Sequence, residues 1–293
     1  ARRLKLFSRR RVVSVLDGNY DSVFKGKGVE LDSLRAYDLG DNIRDIDWRA
    51  TARTRTTQTK LYSPLRDQRI IVVADSSPSM MLAAQSGLDK REAVFGLIVA
   101  LGMFVRKNRD LLALCNGQPD GTTSLSKFSN TSNHIEKLLR TYDRDMQRAN
   151  PASSPQLSQL LGTVLHKVRQ RSAVFVVTDV LPDKQELKPI LSKLSARHQV
   201  FWLQLAASSP FIDQADPTKQ IVDIETLIPL EPDVALSRPL QAAWSKSVDS
   251  LLTEHMQTCR STGTAYGFIT AAEGLPNELR KMFLQARRYA RRR

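Results

Sequence analysis

Two short apolar runs that each stop at an aspartate constrain the fold of this 293-residue chain more than any other feature. Ile70-Ile71-Val72-Val73-Ala74 ends at Asp75, and Ala173-Val174-Phe175-Val176-Val177 ends at Thr178-Asp179. Runs with no polar alternation read as strands buried on both faces, the situation in a parallel sheet covered by helices. The residues between and after them supply those helices. Lys90 to Lys107 reads as a helix that is apolar nearly all round, and Leu157, Leu160, Leu161, Val164, Leu165 and Val168 recur on one helical face. Leu187, Ile190, Leu191 and Leu194 mark a further helix, while Leu111 to Leu114 and Val200 to Leu205 read as strands. Pro119-Asp120-Gly121 marks a turn. The alternation implies two βαβ units, whose right-handed crossovers place helices on both faces of one sheet.

The flanks read differently. Residues 1–66 lack helical periodicity, contain Gly18, Gly26, Gly28 and Gly40, and read as a basic, β-rich segment. The α/β domain is expected over 67–272. Within it Trp244, Val248, Leu251, Leu252 and Met256 form an apolar helical face, with His255 and Cys259 as packed neighbours, and Ala265 to Ile269 is a last strand. Residues 273–293 carry a basic amphipathic helix, from Asn277 to Arg293.

Charge is concentrated at the ends. Of the net +14, residues 1–66 contribute 15 Lys+Arg against 8 Asp+Glu, and 281–293 contribute 6 basic residues and no acid. A nearly neutral middle argues against a nucleic-acid groove through the core and for basic ends that meet an anionic surface. No apolar run reaches the roughly 18 residues of a membrane span. With no apolar leader in the sequence as given and only Cys115 and Cys259, the expected setting is the cytoplasm, with a peripheral position at the inner face of the membrane open to the basic ends.

Ligands of open parallel sheets bind beyond the carboxyl ends of the strands. Asp75 and Asp179 both arrive at that edge, and Asp75-Ser76-Ser77-Pro78-Ser79 sets a carboxylate and two hydroxyls at every second residue. Asp75, Ser77, Ser79 and Asp179 are therefore candidate oxygen ligands for Mg2+ or Mn2+. The alternative is that Asp75 or Ser77 simply caps the next segment.

These residues carry a resemblance. Asp75-Ser76-Ser77-Pro78-Ser79 with the later Thr178-Asp179 is similar to the metal-ion-dependent adhesion site of von Willebrand factor A domains. The stretches Gly26-Lys27-Gly28-Val29-Glu30, Leu34-Arg35-Ala36-Tyr37, Gly40-Asp41 and Arg44-Asp45-Ile46-Asp47-Trp48-Arg49-Ala50-Thr51-Ala52-Arg53 resemble the signature of the bacterial "domain of unknown function 58" proteins. The resemblance spans about Lys25 to Thr270. It implies a Rossmann-like von Willebrand factor A fold, a mostly parallel sheet flanked by helices behind the β-rich extension. It also implies a middle-loop threonine as a metal ligand; here that loop reads Pro151-Ala152-Ser153-Ser154-Pro155-Gln156, so Ser154 or a water is expected in its place and the site is degenerate. Asp183 is expected to cap the helix that follows it. The resemblance further implies a partner, a MoxR-type AAA+ ATPase, and a role in chaperone-like assembly or maturation of client proteins.

Read without the family, the N-terminal block alternates Asp41, Asp45 and Asp47 with Arg44 and Arg49 around Ile46 and Trp48. Paired charges around a buried Trp48 that pin the segment to the core are the expectation, and partner contact is the alternative. An enzyme is not expected. There is no Walker A loop, G-x-S-x-G or H-E-x-x-H, and His134, His166, His198 and His255 lack ligand spacing. A phosphoryl hydrolase built on Asp75 would want a second carboxylate where Ser77 stands. The expected function is a non-catalytic protein–protein interaction module; nucleic-acid or anionic-membrane binding through the basic termini is the alternative, and metal-dependent hydrolysis the more remote one.

Overall fold

In the computed structural model, which describes residues 29–38, 41–64, 68–149, 155–211, 221–224 and 228–290, the apolar runs become the middle of one sheet. In chain order the elements are β1 (Val29–Ala36), α1 (Trp48–Thr54), β2 (Gln58–Pro64), β3 (Arg69–Ala74), α2 (Lys90–Asn108), β4 (Leu111–Gly117) and β5 (Thr123–Leu125). They continue as α3 (Ser132–Gln147), α4 (Leu157–Lys167), β6 (Ser172–Thr178), α5 (Lys184–Arg197), β7 (Gln199–Leu205), β8 (Ile221–Val222) and β9 (Pro229–Leu230). Last come α6 (Pro232–Ala235), α7 (Arg238–Ser261), β10 (Ala265–Ile269) and α8 (Leu275–Ala290).

The main sheet runs β10-β7-β6-β3-β4-β5. All neighbours are parallel except β5, which returns antiparallel on β4. Because β3 is central, both of its faces are covered, and that explains its unbroken apolar run. Ile70, Val72 and Ala74 join one core with residues of α2, α3 and α8, while Ile71 and Val73 join the other with residues of α4, α5 and α7. The chain steps from β3 to β4 on one side and then crosses to β6 on the other. Connections therefore diverge between β3 and β6, and a crevice opens at the carboxyl ends of those two strands.

Several expectations change. Helix α3 was not expected from the sequence; its Leu138, Tyr142 and Met146 are buried in an otherwise polar element. The basic helix near the C-terminus is integral to the core: Leu279, Met282, Phe283 and Ala286 are buried, and the Phe283 ring lies 5.2 Å from Phe201 and 6.3 Å from Phe175. His255 and Cys259 are packed as expected. Neither ring nitrogen of His255 has a hydrogen-bond partner among the described residues, and burial lowers its pKa to about 4, which keeps the ring neutral between Trp202 and Tyr266.

The N-terminal block folds as an antiparallel pair, β1 with β2, carrying α1 in its connection. Asp47 caps α1 by accepting from the Arg49 and Ala50 amides, each at 3.0 Å. Its other oxygen lies 3.7 Å from Lys60, and Asp41 pairs with Arg35 at 2.6 Å. The carboxylates of Asp41 and Asp47 thus bond within the block itself. Trp48 corrects the expectation of a buried anchor, for it is 67% exposed. The cause is the thinness of the layer: a seven-residue helix with no buried residue, set on a two-stranded sheet, cannot enclose an indole.

Phe283→Ala is expected to destabilise the protein by about 3 to 5 kcal/mol in urea unfolding, since it truncates a buried aromatic. Arg287→Ala on the exposed side of α8 is expected to move stability by no more than about 0.5 kcal/mol. Equal, small effects would mean that α8 is a peripheral attachment.

Candidate functional site

Both strand-end aspartates are carried into the crevice by the parallel register. The Asp75 amide donates to the Val177 carbonyl at 3.0 Å, continuing the β3–β6 ladder past the last strand residue. The loop after β3 then turns tightly: the Ser77 amide donates to Asp75 Oδ1 at 2.9 Å, and a short 3-10 turn over Pro78–Met81 follows. This is an Asx-type turn and not the helix cap weighed against metal binding, since Ser77 at the N-cap makes no side-chain capping bond, and it coexists with convergence of the side chains. Ser77 Oγ and Ser79 Oγ lie 3.0 Å apart, and Ser79 Oγ donates to Asp179 Oδ1 at 3.0 Å. Asp75, Ser77, Ser79 and Asp179 are thus brought into one cluster. Ser154 lies outside the described residues. Asp183 caps α5 by accepting from the Gln185 amide at 2.7 Å and takes no part.

The residue that sequence reasoning missed is Lys90. It opens α2, is fully buried, and sends its ammonium into the crevice. Nζ donates to Asp179 Oδ2 at 2.5 Å, to Ser208 Oγ at 2.7 Å and to the Ser79 carbonyl at 3.1 Å. Those three acceptors use all three N–H bonds of the ammonium. Asp75 is satisfied in its own way, since Thr178 Oγ1 donates to its Oδ2 at 2.5 Å. Each of the four carboxylate oxygens therefore already accepts a hydrogen bond. A divalent magnesium would have to sit about 2.1 Å from the Asp179 carboxylate with several waters retained, in the position that the Lys90 ammonium takes. As arranged, the donor set fits an ammonium and not a hydrated divalent ion.

The shell behind the cluster is equally specific. Tyr142 of α3 donates to the Asp75 carbonyl at 2.9 Å, and Ser76 Oγ accepts from the Gly117 amide at 2.9 Å. A side chain at Gly117 would run into the ring of Pro155, which sits against the end of β4. Asp145, also missed, is buried on α3 and accepts from Asn116 at 3.0 Å, Gln118 at 2.9 Å and Arg144 at 2.9 Å. On the far side of Asp179 lies a groove of about 400 Å³, walled by Leu181, Trp244, Val248, Leu252 and Phe268.

An open, mostly parallel sheet with a crevice at its switch point defines a Rossmann-like α/β protein with an added N-terminal β unit. The chain belongs to the family described as "Protein of unknown function DUF58", which matches residues 33–210. It is 23% identical over 204 residues to the uncharacterized protein Rv1480 of Mycobacterium tuberculosis and to the uncharacterized protein Mb1516 of Mycobacterium bovis. These alignments cover 70% of this chain and 63% of each relative, so the chain spans under two thirds of their length. Among solved structures it is similar to a von Willebrand factor type A structure from Catenulispora acidiphila, with a TM-score of 0.43 and 10% identity over 78% of this chain and 43% of that one. It is also similar to the conserved hypothetical protein BatB from Bacteroides thetaiotaomicron, with a TM-score of 0.41 and 13% identity over 73% of this chain and 98% of that one.

Burial, and secondarily the charge of Asp179, raise the pKa of Asp75 to about 6. Because the folded pKa exceeds the unfolded value near 3.8, the folded state holds the extra proton between those values. Stability therefore falls as pH rises through that window, by up to about 3 kcal/mol. Asp75→Asn can keep the Ser77 bond through its oxygen and donate to Thr178 through its nitrogen. It is expected to stabilise the protein at pH 8 relative to wild type and to lose that advantage near pH 4, read from urea midpoints at both pH values. A difference independent of pH would contradict a proton held at Asp75.

Proposed function

We propose that this chain is a non-catalytic protein–protein interaction module that engages a MoxR-type AAA+ ATPase in the assembly or maturation of other proteins, with the block around Trp48 as its contact surface. The partner's identity comes from the family resemblance of the N-terminal block. The observation that carries the surface is the exposure of Trp48 and Ile43, each 67% exposed, on a segment whose carboxylates Asp41 and Asp47 are bonded within the segment. An exposed indole held on a capped helix is an expensive thing to leave in water. Exposed Arg49 and Arg53 accompany it, and Trp with Arg is the composition of interface hot spots.

The engagement of the described crevice groups with one another is compatible with the same reading. The crevice carboxylates are occupied by Lys90, Ser79, Thr178 and the Ser77 amide. Burial pushes the Cys115 thiol up to about 12 and the Cys259 thiol higher still, so neither is a ready nucleophile. Among the described residues no helix is long and apolar enough to cross a membrane. Arg280, Arg287 and Arg288 on the exposed side of α8 supply a longer-range attraction toward acidic surfaces.

Trp48→Ala is expected to weaken binding of the purified ATPase by about 30-fold or more, measured by biolayer interferometry, with a melting temperature within about 2 °C of wild type. Unchanged affinity would remove the block from the interface, and a companion Leu252→Asp that alone abolished binding would move the contact to the groove beside Asp179. Binding that collapsed in step with salt, irrespective of Trp48, would instead favour the basic ends acting on an anionic surface.

A further inference from the structure

We infer that Asp179 in the strand-end crevice is paired with an internal cation, the Lys90 ammonium, which stands where a divalent metal ion would have to sit and leaves it no seat. The inference is independent of the adaptor reading, because it concerns the crevice alone. It starts from an anomaly in α2. A lysine in the first turn of a helix sits at the positive end of the helix dipole, which disfavours it, and a buried ammonium is costly unless fully bonded. Lys90 has both disadvantages and is fully buried. What offsets them is the crevice itself: one carboxylate oxygen of Asp179, the Ser79 carbonyl and Ser208 Oγ accept its three protons.

Those acceptors come from three separate strand ends. Ser79 lies in the loop after β3, Asp179 follows β6, and Ser208 follows β7. A metal ion at such an edge would draw the same loops together through oxygen ligands, and here one side chain from α2 does so through hydrogen bonds. The arrangement is completed by Ser208 Oγ donating onward to the Ala83 carbonyl at 3.0 Å, which leaves no open valence on the ammonium's side of the crevice. Asp179 Oδ1 in turn accepts from Ser79 Oγ. A metal could enter only by expelling Lys90, and a buried four-carbon chain with its charge has nowhere to go at the base of a packed helix. A partner's carboxylate likewise cannot reach the buried ammonium directly.

The test uses the full chain and manganese as the probe. Wild type is expected to leave the electron paramagnetic resonance signal of millimolar Mn2+ undiminished, and its melting temperature is expected to be the same in Mg2+ and in EDTA. Lys90→Met strands Asp179 and is expected to lower the melting temperature by about 10 °C. Lys90→Met with Asp179→Asn, which removes both charges, is expected to recover most of that loss. One Mn2+ bound per wild-type chain and lost on Asp179→Asn would overturn the inference, as would a Lys90→Met variant as stable as wild type. Should the lysine variants fail to fold, the wild-type manganese titration decides alone, in the same two directions.

Discussion

The ion pair between Lys90 and Asp179 is the contact on which the strand-end region depends. Side by side at the end of a parallel sheet, Asp75 and Asp179 face a low-dielectric environment, and two uncompensated carboxylates there would repel each other and lose their hydration. Burial and Asp179 already push Asp75 upward in pKa, a sign of how little water reaches it. A cation is required, and α2 provides it at 2.5 Å from Asp179. Removing one member of such a buried pair typically costs about 3 to 5 kcal/mol, because the survivor is left charged and unsolvated. The pair therefore fixes where the first turn of α2 sits, and through α2 the packing of a helix whose Val94, Leu97, Ile98, Leu101 and Phe104 fill one face of the sheet.

Other contacts make sense from that centre outward. Thr178 bonds Asp75, the preceding strand residue presents its carbonyl to the Asp75 amide, and Tyr142 reaches the Asp75 carbonyl from α3. Ser76 and Pro155 both meet Gly117, which holds the β4 end against the same turn. The result is a crevice whose described polar groups hold the strand-end loops together. The N-terminal unit has the opposite character. Asp41 and Asp47 bond within the unit, and it leaves Trp48 and Ile43 in solvent.

Much of this was legible in the sequence, for reasons that differ between elements. Unbroken apolar runs announced β3 and β6 because a strand covered on both faces has no polar positions, and aspartates directly after them announced the edge at which a crevice opens. The N-terminal block identified the family because it fixes many residue types over a short span. Helix α3 escaped notice because its buried positions, Leu138, Tyr142 and Met146, are few and thinly spaced among charged residues. Trp48 was misplaced because burial depends on how much structure surrounds a residue, and a small hairpin unit offers little. Lys90 was invisible for a third reason. Its neighbours Arg91 and Glu92 make it look like one more charge in an exposed first turn, and only the three-dimensional meeting of α2 with Asp179 reveals that it points inward. The one available hint was two strand-end aspartates without a countercharge nearby in sequence.

A crystal structure of the wild-type chain grown in manganese, with diffraction collected at the manganese absorption edge, addresses the internal cation most directly. The account predicts Lys90 Nζ within hydrogen-bonding distance of Asp179, Ser208 and the Ser79 carbonyl, with no anomalous density between Asp75 and Asp179. An anomalous peak ligated by those two aspartates, with Lys90 turned out of the crevice, would contradict it.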